Sequence, residues 1–269
     1  MDLRFSPLFS GSSGNATYVG CDDAHILVDA GLSGSRVTKE LERVGVYPAS
    51  LDAILVTHEH ADHIKGIGIL SRKYDLPVFA TEGTWRAMES KIGPVPARNR
   101  RVFEPEQDFF IGPIDITPFP IPHDAAQPVG YTFELSGAKL AIATDIGAVR
   151  ESWLRHLRGA SAVILESNFD PGMLQAGPYP YELKRRIAGS RGHLSNDDAG
   201  EVAAGLVRDG ARQILLAHLS RENNYPELAL QCAELAFRQA GLVPQVDARL
   251  TVAARDHNSG MYSLDVGFE

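Results

Sequence analysis

The stretch Thr57-His58-Glu59-His60-Ala61-Asp62-His63 brings three imidazoles and the carboxylate of Asp62 close together along the chain. It follows the apolar run at residues 53–56, which is short and β-branched enough to be a buried strand. Extended backbone sends His58 and His60 to the same side, because side chains along a strand alternate with period two. Asp62 and His63 stand at the entrance of a candidate helix and can face a second point in space. The stretch therefore predicts a corner between a strand and a helix that holds two metal ions.

Other interpretations of this stretch are less compatible with its residues. The HExxH motif of zinc proteases would need a histidine at position 62, where the chain has Asp62. Structural zinc sites are usually closed by cysteine, and none stands here. A surface histidine cluster without a ligand role is the remaining alternative.

The bulk composition is that of an ordinary globular protein. The chain has 269 residues, 44% of them hydrophobic, which allows one large domain or two small ones. No apolar run approaches the ~20 residues of a membrane span, and the first residues lack the build of a signal peptide. Cys21 and Cys232 form no disulfide framework, so we expect reduced thiols and a cytoplasmic protein.

The net charge of −8 argues against a protein that coats nucleic acid with its whole surface. It leaves nucleases open, because metal ions and local arginine clusters can supply a positive field. The charge therefore excludes one mode of nucleic-acid binding and not the substrate class.

Strands and helices alternate in two rounds, without a linker or a repeat of 20–50 residues. The patterns predict strands at residues 3–9, 17–19, 25–31, 53–56, 77–80, 139–145, 162–165, 213–218 and 245–253. They predict helices at residues 35–44, 64–74, 81–91, 149–157, 181–188, 195–207 and 226–239. Ser33 or Ser35 is expected to cap the first helix and Ser195 the helix at 195–207, while residues 93–101 are expected to form a basic loop. We predict one domain over residues 1–269, an α/β fold with two packed sheets and helices outside.

Further metal-type residues follow buried strands or lie in turns that contain proline. His123 comes directly after Pro122, Asp145 ends the strand at 139–145, and His218 ends the strand at 213–218. Asp29 ends a strand on the edge expected to carry the histidine stretch. Such placement is unusual for histidines and acids scattered at random, so these residues are candidate ligands.

This set of motifs resembles the metallo-β-lactamase superfamily, and the resemblance implies a four-layer α/β/β/α sandwich. It also implies the ligands: His58, His60 and His123 for the first metal; Asp62, His63 and His218 for the second; Asp145 as the bridge. Asp29 resembles the family's acid that orients a ligand histidine. Hydrolases of β-lactams typically lack the bridging carboxylate, whereas nucleases, phosphodiesterases, glyoxalase II enzymes and lactonases carry it.

Several shorter strings resemble the YycJ/WalJ group of metal-dependent 5′→3′ DNA exonucleases. They lie at residues 11–15, 122–124, 165–170, 191–196 and 217–224. The gap between Asp145 and His218 is 218 − 145 = 73 residues. Predicted core elements already fill it, so the inserted domain of the β-CASP nucleases is not expected.

The resemblance further implies how hydrolysis would proceed. Two metal ions can clamp a phosphodiester, and a hydroxide bridging them can attack phosphorus in line with the leaving oxygen. His193, in a Gly-His pair like that of related phosphodiesterases, is the candidate general acid; the alternative is a histidine that only packs its loop. Asp62 is expected to accept the proton of the bridging water. The ligand types suit manganese, zinc and iron alike.

The expected substrate is DNA, as a duplex or a single strand. Candidate residues for phosphate or sugar oxygens are Ser12, Ser13, Asn15, Asn168, Ser220 and Asn223. Lys184, Arg185, Arg186 and Arg191 form a candidate basic patch that leads to His193, although a solvated helix face explains residues 184–186 equally well. Alternatives are a small-molecule (cyclic) phosphodiesterase, a ribonuclease of the same fold, or a non-enzymatic metal-binding protein. The sequence leaves open whether the chain forms a homo-oligomer, and no membrane contact is expected.

Overall fold

The structure is a computed structural model that describes residues 1–264. In this part of the chain the strands are β1 Leu3–Phe9, β2 Ala16–Gly20, β3 His25–Val28, β4 Ala53–Leu55, β5 Val78–Ala80, β6 Arg100–Val102, β7 Phe109–Ile111, β8 Ile114–Pro120, β9 Val129–Leu135, β10 Ala138–Ala143, β11 Ala162–Glu166, β12 Gln213–Ala217, β13 Arg249–Val252 and β14 Tyr262–Leu264. The helices are α1 Gly34–Arg43, α2 Ala61–Ile64, α3 Ile67–Tyr74, α4 Glu82–Ile92, α5 Glu151–Leu157, α6 Pro171–Ala176, α7 Tyr181–Ile187, α8 Asn196–Arg208 and α9 Pro226–Gln239. None of these helices is long and apolar enough to cross a membrane.

The described residues form two compact units. Unit 1 comprises residues 1–120, 125–138 and 254–264, and unit 2 comprises residues 121–124 and 139–253. The single domain expected over the whole chain stays a prediction.

Unit 1 contains a mixed sheet with the strand order β14-β1-β2-β3-β4-β5-β6. The pairs from β14 to β3 are antiparallel and those from β3 to β6 are parallel. Val28 pairs with Leu55 in β3 and β4, so the residues that follow these strands meet at one sheet edge. Parallel strands bring their carboxyl ends to the same edge, where α/β folds commonly place ligands.

A large apolar cluster in unit 1 supports this sheet. Val37 and Leu41 of α1 and Trp85 and Met88 of α4 are buried in it together with strand residues such as Ile54. Burial of one such side chain contributes about 1.5–3 kcal/mol. The packing of this cluster therefore stabilises the positions of the strands of unit 1 and of the residues that follow them. Strands β7, β8 and β9 form an antiparallel meander in the same unit.

Unit 2 contains the parallel strands β10, β11, β12 and β13, paired in that order. The register places Leu165 beside Ala143 on one side and Leu216 on the other. Residues just beyond these strands therefore share an edge. Ser195 caps α8 as predicted, since its hydroxyl accepts the Asp198 N–H at 3.1 Å.

The helix predicted at residues 64–74 is interrupted. Gly66 N donates to Ala30 O at 2.7 Å, and Asp62 O accepts from Asn15 N at 2.8 Å. The helical bond from residue 66 back to residue 62 is thereby replaced, so α2 ends at Ile64 and α3 starts at Ile67.

Other boundaries differ by smaller amounts. Ser33 is the N-cap residue of α1, but its side chain makes no capping hydrogen bond. Its hydroxyl lies 3.2 Å from that of Ser35. The expected loop at 93–101 contains a 3₁₀ turn, Ala97–Asn99, and the first residues of β6. Helix α6 and strand β14 were not predicted, while α9 has the predicted bounds.

Candidate metal centre

Three candidate site residues adopt left-handed backbone one or two positions beyond a strand. The φ angles are 60° at Asp29, 61° at Asp145 and 56° at His218. Strands β3, β10 and β12 therefore end earlier than predicted, at Val28, Ala143 and Ala217. Non-glycine residues rarely take this conformation, and those that do are concentrated at functional sites.

The histidine loop of unit 1, residues 57–63, gathers its three imidazoles as the sequence predicts. The ring centroid of His58 lies 4.6 Å from that of His60 and 4.1 Å from that of His63. His58 and His63 are fully buried, and His60 is half-buried. The loop therefore offers several ring nitrogens in a small volume.

Asp29 orients this loop through both of its carboxylate oxygens. Oδ1 accepts Thr57 N at 2.9 Å, and Oδ2 accepts the Thr57 hydroxyl and His63 Nδ1, both at 2.8 Å. Since a carboxylate oxygen accepts, His63 carries its proton on Nδ1 and keeps a lone pair on Nε2. Such an acid behind a histidine fixes the tautomer that binds metal.

Thr57 extends the same arrangement to His58, a role that the sequence did not predict. Its hydroxyl hydrogen goes to Asp29, so its oxygen accepts from His58 Nδ1 at 3.0 Å. His58 therefore also keeps its Nε2 lone pair. The position of Thr57 directly before the first motif histidine was the available signal.

The loop at residues 11–15 braces the histidine loop. Asn15 Nδ2 lies 3.0 Å from His63 Nε2 and 3.4 Å from Asp62 Oδ2, while its Oδ1 accepts Gly11 N at 2.9 Å. Asn15, predicted to bind substrate, is thus placed as an internal support for Asp62 and His63. Ser12 and Ser13 lie exposed at the turn.

Glu166 is the main site residue that the sequence did not single out. It is fully buried at the end of β11, and its Oε1 accepts His193 Nδ1 at 2.8 Å and His218 Nδ1 at 2.9 Å. Its Oε2 accepts Ile146 N at 2.7 Å and Leu194 N at 3.1 Å. Burial raises the pKa of Glu166, but the charge of His193 and the two histidine hydrogen bonds outweigh it and lower the pKa to about 2.

His193 lies between two candidate ligands of unit 2. Its ring centroid is 5.3 Å from those of His123 and His218, and its side chain is 21% exposed. Burial lowers the pKa of His193, but the charge and hydrogen bond of Glu166 outweigh it, and the net shift is upward. With Nδ1 held by Glu166, Nε2 is the nitrogen left to face a substrate.

His123 is fixed from both sides by the segment before His193. Its Nδ1 donates to Gly192 O at 3.0 Å, and Arg191 donates to His123 O through Nε at 3.1 Å and Nη2 at 3.0 Å. Burial lowers the pKa of His123, which favours the neutral ring that binds metal. Arg191, predicted to contact DNA, is therefore placed as a brace for the His123 turn.

The other residues of unit 2 that were predicted to bind substrate differ in burial: some are buried and others are exposed. Asn168 is buried and donates to His218 O at 2.7 Å. Ser220 and Asn223 are buried together, with Asn223 N donating to the Ser220 hydroxyl at 3.2 Å. Arg186 pairs with Asp124. Lys184 is half-buried and its Nζ donates to Gln175 O at 2.7 Å, whereas Arg185 is exposed.

The clusters of histidines and acids in the described residues offer donors that suit a divalent metal ion. In unit 2, Asp145, Glu166, His193 and His218 each offer one ligand atom, and these atoms lie within 4.8 Å of one another. The Nδ1 atoms of His58, His63, His123 and His218 each lie within hydrogen-bonding distance of a protein oxygen, so Nε2 is the ring nitrogen that offers a lone pair. Mixed imidazole and carboxylate donors suit divalent transition metals. These clusters indicate divalent metal binding.

Comparison with known proteins shows the family. A family model described as a beta-lactamase superfamily domain matches residues 24–219. The chain belongs to the metallo-β-lactamase superfamily. Members of this superfamily are hydrolases, and the chain is a metal-dependent hydrolase.

Two curated relatives match nearly the whole chain. Exodeoxyribonuclease YycJ of Bacillus anthracis is 44% identical over 241 residues, which cover 90% of this chain and 91% of the relative. Exodeoxyribonuclease WalJ of Streptococcus pneumoniae is 39% identical over 250 residues, which cover 92% of this chain and 93% of the relative.

A solved structure confirms the predicted fold class. The metallo-beta-lactamase fold protein YhfI from Bacillus subtilis is similar with a TM-score of 0.73 and 17% identity, over 98% of this chain and 100% of the other. The chain therefore has the superfamily's α/β fold, with mixed sheets flanked by helices.

Proposed function

We propose that the chain is a metal-dependent phosphodiesterase that degrades DNA from the 5′ end. The observation that carries the proposal is the double contact of Glu166, which orients His193 beside the metal-type residues Asp145 and His218. A partly exposed histidine next to candidate ligands is the arrangement that cleavage of a phosphodiester needs. The relatives named exodeoxyribonucleases support DNA as the substrate.

The family pattern supports two divalent ions per chain, with manganese or zinc favoured and iron also compatible. The proposed ligands are those that the motifs imply: His58, His60 and His123 for one ion, Asp62, His63 and His218 for the other, and Asp145 for both. Bound ions would supply Lewis-acid activation of the phosphodiester and of water. Asp29 and Thr57 keep the histidine loop in the tautomers that this role requires.

His193 is the proposed general acid. Its Nδ1 hydrogen is held by Glu166, so the proton available to a leaving oxygen is the one on Nε2. The carboxylate also stabilises the protonated ring, which keeps a proton ready for transfer. General acid catalysis of this kind contributes about 10²–10⁴ in rate.

Asp62 is the proposed acceptor of the proton that the attacking water loses. It stands in the first turn of α2, half-buried, with its side-chain Oδ2 3.4 Å from the Asn15 amide nitrogen. A half-buried carboxylate can both accept a proton and pass it to solvent.

A substrate panel tests this function. The purified protein is incubated with manganese, zinc or iron and with DNA labelled at the 5′ or the 3′ end, as single strand and duplex. We expect mononucleotides released first from the 5′ end. RNA of the same sequence and cyclic dinucleotides serve as parallel substrates. Faster turnover of either one than of DNA would contradict the DNA assignment, and hydrolysis without any metal would contradict the mechanism.

A further inference from the structure

Helix α7 of unit 2 presents an exposed aromatic side chain beside basic ones. None of its residues is buried, and Tyr181 is 70% exposed. One face of α7 borders a groove with a volume of about 490 Å³. The residues that line it are Phe169, Pro171, Leu174, Gln175, Tyr181, Lys184, Arg185 and Ala188.

The groove combines an apolar floor with a basic rim. Phe169 and Leu174 of the floor are buried, whereas Lys184 and Arg185 stand at the rim. None of the lining residues is acidic, although the whole chain carries a net charge of −8. The groove is therefore a locally positive surface on a negative protein, and its charge complements a phosphate.

Arg185 lies over one face of the Tyr181 ring. The guanidinium carbon of Arg185 lies 5.8 Å from the centroid of the Tyr181 ring, within the range of a cation–π contact. Both groups are planar, and proteins that bind single-stranded nucleic acid stack bases on such side chains. The volume suits one nucleotide, because ligand pockets range from about 300 to 1,000 Å³.

The groove is joined to the segments that hold the proposed general acid. His193 N donates to Ile187 O, the last residue of α7, at 2.9 Å. On the other side Phe169 forms a β-bridge with Ser195, and Asn196 N donates to Phe169 O at 2.8 Å. The helix that forms the rim and the residue Phe169 of the floor are therefore hydrogen-bonded to His193 and to the residues that follow it.

We propose that this groove binds one unpaired nucleotide of the substrate strand, with its base stacked on Tyr181 and its phosphate attracted by Lys184 and Arg185. The inference rests on the proposed function and adds a nucleotide subsite to it. Stacking on a tyrosine tolerates any base, as a general exonuclease requires. A base in a duplex cannot reach the ring, so the subsite favours a single-stranded end.

Paired oligonucleotides test the stacking contact. The metal-loaded protein is titrated into fluorescein-labelled oligothymidylate with phosphorothioate linkages, and into an abasic oligonucleotide of equal length and linkage. Anisotropy gives the two Kd values. Tyr181→Ala should weaken binding of oligothymidylate by about 5- to 150-fold, which corresponds to about 1–3 kcal/mol per stacked base, and leave the abasic strand unchanged. Tyr181→Phe, which keeps the ring, should bind like the unaltered protein.

A matched control uses an exposed tyrosine outside the groove. Tyr47 is 76% exposed in unit 1, and Tyr47→Ala should change neither Kd. The double change Lys184→Gln and Arg185→Gln should reduce the salt dependence for both strands, by a slope of about 0.7 per lost phosphate contact. Equal weakening of both strands by Tyr181→Ala, or no weakening of either, would overturn the subsite.

Failure of the nucleotide subsite can be distinguished from failure of the proposed function by measuring hydrolysis. Tyr181→Ala should hydrolyse bis(4-nitrophenyl) phosphate like the unaltered protein. This small ester contains no nucleotide that would have to occupy the groove. If the unaltered protein cleaves DNA while Tyr181→Ala binds both oligonucleotides normally, only the subsite fails. If the unaltered protein cleaves neither DNA nor the ester, the proposed function fails, whatever the two Kd values are.

Discussion

Glu166 Oε1 lies 2.8 Å from His193 Nδ1, and the same oxygen accepts His218 Nδ1 at 2.9 Å. One buried carboxylate atom therefore positions both the proposed proton donor and a proposed metal ligand. The second oxygen is held by two backbone N–H groups, so the carboxylate cannot turn away without losing all four bonds. If both proposed roles hold, a change at Glu166 should affect metal binding and proton transfer together.

The first prediction concerns His193 as the proton donor to the leaving oxygen of the phosphodiester. We expect His193→Ala to keep its metal content and fold but to lower kcat on DNA by about 10²–10⁴. The loss should be much smaller on bis(4-nitrophenyl) phosphate, because a nitrophenolate departs without a proton. Steady-state kinetics on both substrates measure the difference. Equal losses on DNA and ester would count against a general acid, and a raised KM with unchanged kcat would indicate simple phosphate binding.

Glu166→Gln provides a test of positioning in the same experiment. The amide keeps the size of the side chain but offers one acceptor oxygen instead of two. We expect kcat on DNA to fall in this variant. If Glu166 assists the leaving group only through His193, the double variant with His193→Ala should have the same kcat as His193→Ala alone. Any additional loss in the double variant would be assigned to His218.

The second prediction concerns the shared ligand. Asp145→Asn should lose at least one metal ion per chain and nearly all hydrolysis, because two cations would face each other without their common anion. Asparagine tolerates the left-handed backbone of this position better than alanine does. Asp75→Asn is the matched control, since Asp75 is also left-handed but caps α3 on the surface. Two ions per chain with full turnover in Asp145→Asn would refute the bridging role.

The third prediction concerns Asp29, whose carboxylate accepts hydrogen bonds from Thr57 and His63. Asp29→Asn retains one acceptor oxygen and turns an amide donor toward groups that donate. We expect metal affinity to fall about 10–100-fold, as for other acids that orient a ligand histidine. Competition with a chelator measures this change. An unaltered metal affinity would show that the tautomer of His63 does not depend on Asp29.

The fourth prediction concerns the close approach of two loops in unit 1. A Cβ at Gly31 would stand 1.6 Å from Asp62 O, so Gly31→Ala must displace the histidine loop. We expect a loss of about 1–3 kcal/mol in the free energy of unfolding, as for other overpacked sites, together with weaker metal binding. Gly205→Ala in α8 meets no atom within 4 Å and should be neutral or stabilising by about 0.5–1 kcal/mol. Urea denaturation compares the two, and an equal effect would contradict the steric account.

The fifth prediction is a pH dependence of stability away from the metal residues. Glu40 is buried in α1, and its Oε2 accepts Asn258 N at 2.9 Å and Nδ2 at 2.8 Å. Burial raises the pKa of Glu40, but the Asn258 hydrogen bonds and Arg43 outweigh it and lower the pKa below its usual 4.5. A lowered pKa in the folded state stabilises the protein above the unfolded pKa, and this contribution is lost as the pH falls through the folded pKa.

The variant Glu40→Gln isolates this contribution. We expect it to be about 1.5–3 kcal/mol less stable than the unaltered protein near pH 7, because hydrogen bonds to a charged group are lost. The difference should shrink below about pH 4.5, the usual pKa of the carboxyl. Unfolding in urea at several pH values measures it, and other titrating groups cancel in the comparison. A difference that is constant with pH would refute the ionised role of Glu40.

The sequence by itself determined the parts of the protein that depend on short-range patterns. Helix α9, the capped start of α8 and strands β1, β4 and β11 were predicted to within one residue, because apolar periodicity and capping residues act within a few positions. Strands β3 and β13 are shorter than predicted, ending at Val28 and beginning at Arg249. The histidine loop was recognised for the same reason, since its candidate ligands are neighbours along the chain. His123, Asp145 and His218 were found because each follows an apolar strand or a proline.

Only the tertiary structure decided which polar residues support the candidate ligands. His193 meets Glu166 across 27 residues, Arg191 reaches His123 O across 68, and Asn15 reaches His63 across 48. No local pattern predicts these pairs, because the parallel register of β10, β11 and β12 and the packing of loops at the strand ends create them. A buried donor or acceptor must find a partner wherever the fold brings one. For that reason Asn15, Asn168 and Arg191 are placed as internal braces and Glu166 at the centre of the candidate site.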